Sequence, residues 1–158
     1  MEPDLAVALR SLVETQQVAS LATLHRGKPA VSMVPYALIP LGGGFLVHVS
    51  RLASHSADML ADGAVALLIV APADSASPHE LARASIQGQA RPLASPSQEG
   101  IEARARYLQR FPQSERTFGF PDFSLFAIAP TSVRFVGGFA RAATILAAEY
   151  AAIMSDDR

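Results

Sequence analysis

The sequence predicts a mainly β (α+β) domain, an antiparallel arrangement of six to seven strands with short flanking helices. Three observations predict it. Strand-like segments recur along the chain, short turns rich in Gly and Pro join most of them, and only brief helical patterns lie between. With 158 residues, half of them hydrophobic and 17% charged, the chain can build one core, and a single domain over residues 1–158 is expected.

Leu5, Leu9, Leu12 and Val13 recur at helical spacing, with Pro3 well placed near the start. They predict an amphipathic first helix that covers one end of the sheet. Val18 to His25, the turn Arg26-Gly27-Lys28-Pro29 and Ala30 to Ile39 read as a β-hairpin. After the turn at Pro40 to Gly44, Phe45, Val47 and Val49 alternate with Leu46, His48 and Ser50, which is the period of a strand. Ser54 is suited to cap a short helix through Met59 and Leu60, which Asp62-Gly63 closes. Ala64 to Ala71 is apolar at every position, as in a strand covered on both faces.

Pro72 to Pro78 reads as a loop. In the next strand Arg83, Ser85, Gln87, Gln89 and Arg91 alternate with Ala84, Ile86, Gly88 and Ala90, so one face is polar. Ser95-Pro96 opens a third helix in which Ile101, Ala105 and Leu108 share a face while Arg104, Arg106 and Arg110 point outward. Phe123 to Ile128 and Val133 to Val136 read as two last strands joined by Ala129-Pro130-Thr131. Gly137-Gly138 then interrupts the pattern before an alanine-rich helix over Thr144 to Met154. Such a sheet leaves apolar strand faces that a small domain cannot cover alone, and a homodimer is expected.

The net charge is -1 and the basic residues are scattered, which argues against a nucleic-acid partner. The absence of Cys excludes disulfides, thiolate metal sites, cysteinyl flavin and cysteine nucleophiles. The first fourteen residues carry three acids and only Arg10, the reverse of an export signal. The longest apolar run, Ala64 to Ala73, is far short of the ~20 residues a membrane helix needs. The expectation is a soluble, cytoplasmic chain with no membrane contact.

Signatures of Rossmann folds, Walker loops, nucleophile elbows and zinc proteases are missing. Gly42-Gly43-Gly44 lies between two strands and reads as a turn. His25, His48, His55 and His79 have neither ligand spacing nor a nearby carboxylate on a shared face, so no metal site is expected. His55 beside Ser54 and Asp58 has the composition of a hydrolytic triad, but residues so close in sequence cannot adopt its geometry. The informative stretch is His48-Val49-Ser50-Arg51-Leu52-Ala53-Ser54-His55-Ser56, where a strand ends and a helix begins. Helix amides, hydroxyls and a guanidinium there suit a phosphate monoester, and Ser50 and Ser54 equally suit the role of helix caps with Arg51 solvated.

Several short motifs fall in one order: Ala19-Ser20-Leu21-Ala22-Thr23 with Gly27-Lys28-Pro29, Ser32-Met33-Val34-Pro35-Tyr36, Val49 to Ser56, and Gly88 on the polar-faced strand. Together they resemble the pyridoxamine 5'-phosphate oxidase-like, FMN-binding split-barrel superfamily. Tyr107-Leu108, Phe111-Pro112, Asp122-Phe123 and Val136-Gly137-Gly138-Phe139 resemble its haem-utilisation branch more than the oxidase itself.

The resemblance implies an antiparallel split β-barrel that dimerises, with two identical cofactor sites between subunits. It implies FMN as cofactor, with haem as the alternative, and a small-molecule ligand. By position Ser32, Met33 and Val34 face the flavin ring, Val49, Ser50, His55 and Ser56 the phosphate, and Arg83 reaches across from the second subunit. His55-Ser56 stands where the oxidase has an Arg-Lys pair, and Ser32 where it has Arg, so fewer charge-assisted bonds hold the phosphate. The oxidase's Arg-rich C-terminal signature is missing, and vitamin B6 oxidation is not expected. The implied activities are a flavin-dependent oxidoreductase of unassigned substrate, with haem utilisation or a non-catalytic cofactor module as alternatives. The haem reading needs an axial donor, for which the four histidines are the candidates.

Overall fold

A helix, α1 (Pro3–Thr15), precedes a hairpin of β1 (Val18–His25) and β2 (Lys28–Pro35). Arg26 and Gly27 both hold positive φ, 52° and 76°, which gives a two-residue turn whose twist matches the paired strands. The computed structural model describes residues 1–73, 77–138 and 140–155. Part of the expected Pro72–Pro78 loop, and Phe139 of the closing motif, lie outside them.

The chain continues through β3 (Ala37–Ile39), β4 (Gly44–Ser50), α2 (Ser54–Ala61), β5 (Ala64–Val70) and β6 (Arg83–Pro92). Then follow α3 (Gln98–Arg110), a 3-10 turn with the short α4 (Glu115–Phe118), β7 (Phe123–Val136), β8 (Ala142–Leu146) and α5 (Ala147–Ser155). The eight strands form one sheet in the order β2-β1-β5-β6-β7-β4-β3, with β8 also paired to β7. Every pairing is antiparallel, and the sheet curls into the expected split barrel.

Several local expectations are corrected. The Ala30 to Ile39 strand is two strands, because after Pro35 the chain leaves β1 and pairs with β4 instead. The two last strands are one, β7, which runs through Pro130 without a break. Proline is tolerated there because the register against β6 shifts: Gln87 faces Ser132 but Gly88 faces Pro130, so Thr131 bulges. Gly88 permits the close approach, since a Cβ on it would sit 2.8 Å from the Ala129 carbonyl oxygen. The expected start of the last helix at Thr144 belongs to β8, which adds to the edge of β7 before the helix begins at Ala147.

The main core fills the barrel. Leu9, Leu21, Tyr36, Phe45, Ile69, Ile86, Phe126, Phe135 and Tyr150 are all fully buried in it. α1 contributes Leu5, Leu9, Leu12 and Val13, as its spacing predicts. The Tyr36 hydroxyl donates to the Val13 carbonyl at 2.7 Å, which ties the end of α1 to the sheet.

A second, smaller core lies on the outer side of β3, β4 and β7 beneath α3, built from Ala37, Leu46, Leu93, Ala103, Tyr107, Phe111, Leu125 and Ala127. β4 is therefore buried on both faces. α3 docks through Ala103 and Tyr107 rather than the expected Ile101, Ala105 and Leu108 stripe, of which Ile101 stays exposed. The small Ala103 lets the helix approach closely, and the Tyr107 ring fills the gap. Ser97, not the Ser95-Pro96 pair, caps it, its hydroxyl oxygen accepting from the Gly100 amide at 3.0 Å. Arg110, expected outside, turns in to donate to the Glu14 and Gln16 carbonyls at the end of α1.

The outer face of β2, β1 and β5 has no such cover among the described residues. β5 buries Val65, Leu67 and Ile69 but exposes Leu68 and Val70, so the strand expected to be covered on both faces is covered on one within this chain. Val31 and Met33 beside them are 72% and 65% exposed. The register aligns Met33, Ser20 and Leu68 in one row and Val31, Ala22 and Ala66 in the next. The result is a continuous, nearly uncharged patch.

Candidate cofactor site

α2 packs across one end of β1 and brings the conspicuous polar residues together. Its N-cap is Ala53, which offers no side chain, so Ser54 is not the cap the sequence suggests. The connection from β4 is held by Ser50. Its carbonyl accepts from the Ala53 amide at 3.1 Å and the Ser56 hydroxyl at 2.6 Å. Its own hydroxyl donates to Asp122 Oδ2 at 2.6 Å and accepts from the Leu52 amide at 3.1 Å. Arg51 donates to the Pro121 carbonyl at 2.7 Å.

These bonds decide what the strand end can offer an anion. The Ser50 and Ser56 hydroxyl protons are both spent inside the protein, and Ser56 is buried. A carboxylate, Asp122, stands against the Ser50 hydroxyl, at the strand end where the resemblance implies a phosphate. Two like charges held close together repel, and the amides of Arg51, Leu52 and Ala53 already have partners within the protein.

One turn along α2, His55 and Asp58 face the hairpin. His55 Nδ1 lies 3.1 Å from Ser32 Oγ, so the structure joins these two sequence-predicted residues. Burial pushes the His55 pKa down, with the Asp58 charge opposing. Asp58 is 5% exposed, its Oδ2 accepting from Thr23 at 2.9 Å and its Oδ1 meeting His25 Nδ1 at 2.8 Å. Burial alone would raise its pKa, but the bonds from His25 and Thr23 and the nearby imidazoles hold the carboxyl below its ordinary value. The expectation that no histidine meets a carboxylate is corrected: α2 carries Asp58 onto β1, 33 residues away in sequence.

Other predicted residues are dispersed. Val34 and Val49 lie in the core, while Met33 points out from the opposite face of β2. Arg83 sits at the far end of β7 from Ser50: Arg83 pairs with Val136, Ser50 with Phe123. Within one chain it does not approach the Ser50 segment, and it donates to the Leu81 carbonyl at 3.0 Å. Asp58 and Thr23 were not distinguishable as site residues in the sequence, because only the packing of α2 on β1 unites them.

His48 lies elsewhere, in the small core, stacked on Phe118 with ring centroids 3.7 Å apart. Burial first, then the nearby Arg104 charge, push its pKa down to about 4. It borders a pocket of about 150 Å³ with Arg104, Phe123 and Ser124. No group of three or more metal-ligating side chains occurs among the described residues. None of the described helices is long and apolar enough to cross a membrane.

Comparison with known proteins adds the lineage. A heme binding protein from Mycobacterium smegmatis has a similar structure, with a TM-score of 0.86, 31% identity, and coverage of 96% of this chain. This chain spans only 62% of that protein. HutZ, a heme storage protein from Vibrio cholerae, shares the fold at a TM-score of 0.70 and 21% identity, over 82% of this chain and 89% of HutZ. A FAD-binding protein from Mesorhizobium loti shares it at 0.64 and 14% identity, over 81% and 89% of the two chains. A search of curated protein sequences finds no match. The sequence model described as pyridoxamine 5'-phosphate oxidase matches residues 5–137, and with the split-barrel topology this makes the chain a member of the pyridoxamine 5'-phosphate oxidase family.

Proposed function

We propose that this protein is a haem-binding split barrel that works as a homodimer, with its cofactor held where β2 and α2 of one protomer border the seam. The observation that carries the choice of haem over FMN is the Asp122 carboxylate on the Ser50 hydroxyl. It places negative charge, and no free hydroxyl proton, where the flavin phosphate would be gripped. The relationship to a heme binding protein at 31% identity supports the same reading. The uncovered face of β2, β1 and β5 supports the dimer, because contiguous apolar patches on a surface mark sites of association. A second copy of the same patch is self-complementary about a two-fold axis.

The second reading is a flavin-dependent oxidoreductase. It is favoured by the family's namesake and by the Val49 to Ser56 turn, where His55 and Ser56 would meet the phosphate. Ser32, Met33 and Val34 would then line the ring, and Arg83 would arrive from the second subunit. Titration of the purified protein with hemin and, separately, with FMN tests both. A Soret band that saturates with hemin, and FMN fluorescence left unquenched, is expected. Saturable FMN binding without a Soret band would reverse the assignment.

A further inference from the structure

Resting on the haem reading, we propose that His25 is the residue that ligates the haem iron, and that Asp58 and Thr23 position it. The four histidines differ sharply in what the fold does to them. His48 is 9% exposed and stacked against Phe118, so no planar macrocycle can reach it without dismantling the small core. His55 has its Nδ1 against Ser32. His79 is exposed on a turn with no side-chain bond to fix its ring among the described contacts. His25 alone of the four meets a buried carboxylate, while its side chain remains 45% exposed.

The chemistry of that pair suits an iron ligand. The Asp58 side chain already accepts from Thr23 on one oxygen and meets His25 Nδ1 at 2.8 Å on the other, an arrangement that suits a ring proton on Nδ1 donated to the carboxylate. Nε2 then carries the lone pair and lies on the side of the ring away from the buried carboxylate. A histidine that gives its second N–H to a carboxylate is the donor arrangement metals favour, since the carboxylate fixes the tautomer and raises the basicity of the ligating nitrogen. Thr23 supplies the third part. Its hydroxyl donates to the other oxygen of Asp58 at 2.9 Å and prevents the carboxylate from rotating away. The bond formed is coordinate: Nε2 gives its electron pair to ferric iron, and the Nδ1 proton stays between His25 and Asp58.

The turn residues suit the charged edge of the ligand. Arg26 and Lys28 flank His25 across the tight turn and are both exposed, offering two cations to the two carboxylates of a haem.

The test is hemin titration of the wild type, His25→Ala, His79→Ala and Asp58→Asn, read by absorbance and by resonance Raman spectra of the ferrous forms. Circular dichroism confirms that each is folded. The wild type should show a Soret band and an iron–histidine stretch. His25→Ala should lose that stretch and bind hemin at least tenfold more weakly, and added imidazole should restore the band. His79→Ala should match the wild type. Asp58→Asn should keep the ligand but lower the stretching frequency, with a loss of affinity of roughly 10- to 100-fold. A wild type that takes up no hemin would overturn the haem reading and this assignment together. A wild type that binds hemin, with a stretch that survives in His25→Ala, would overturn the assignment alone.

Discussion

The two outer faces of the sheet are handled in opposite ways. Over β3, β4 and β7 the chain lays its own helix, and Tyr107, Phe111 and Leu125 complete a second core. Over β2, β1 and β5 the described residues supply nothing, and Val31, Met33, Leu68 and Val70 are exposed. Both faces are apolar in sequence. What separates them is whether the same chain supplies the cover, and under the proposed dimer the uncovered face is the associating one.

Charges placed on the uncovered face should produce the largest effect. The pair Met33→Asp and Leu68→Glu, adjacent to Ser20 in one row, adds like charges that a symmetric dimer must bury on both sides. Dimer affinity should fall by about 4 kcal/mol or more, roughly a thousandfold, as read by sedimentation equilibrium, while the monomer stays folded. An unchanged dissociation constant would show that this face is not the seam.

The covered face should respond in the reverse sense. Tyr107→Ala should cost about 3 kcal/mol of folding stability in denaturant titrations, through the cavity it leaves, without changing the dimer constant of the folded protein. A shifted dimer constant would mean the two faces are coupled.

Acid should act on the covered face through His48. Its pKa is about 4 in the folded chain against 6.5 in the unfolded one, because burial and Arg104 disfavour the imidazolium. Between those values the unfolded chain binds a proton that the folded chain does not. Stability is thus complete above pH 6.5 and declines as the pH falls toward 4, by about 3 kcal/mol in all. The depressed His55 acts in the same direction. His48→Phe should flatten the dependence of the unfolding midpoint over that window, and an equally steep profile would contradict the assignment. The smallest effect is expected of Ser97→Ala, which removes the cap of α3 and should cost about 1 kcal/mol in the same titrations.

Much of the fold was legible in the sequence. Helix α1, the first hairpin, β4, β5 and the polar-faced β6 follow from spacing and turn residues, because period and punctuation are local properties. The errors arise where a distant neighbour decides. β5 has the composition of a doubly covered strand, yet this chain covers one side only. Pro130 looks like a break, yet a bulge against Gly88 carries the strand through it.

The site divides along the same line. The Val49 to Ser56 turn is conspicuous because its hydroxyls lie close together in sequence, and the fold brings Ser32 to 3.1 Å from His55. That Asp122 occupies the Ser50 hydroxyl, and that Asp58 and Thr23 orient His25, could not be read locally, since each contact spans more than thirty residues.

Sedimentation velocity of the hemin-loaded protein, followed at the Soret wavelength, combines the seam and the cofactor in one measurement. The haem absorbance should travel with a species of twice the chain mass, at one haem per protomer. Soret absorbance that travels with a single chain, or that stays behind as free hemin, would contradict the shared-seam reading.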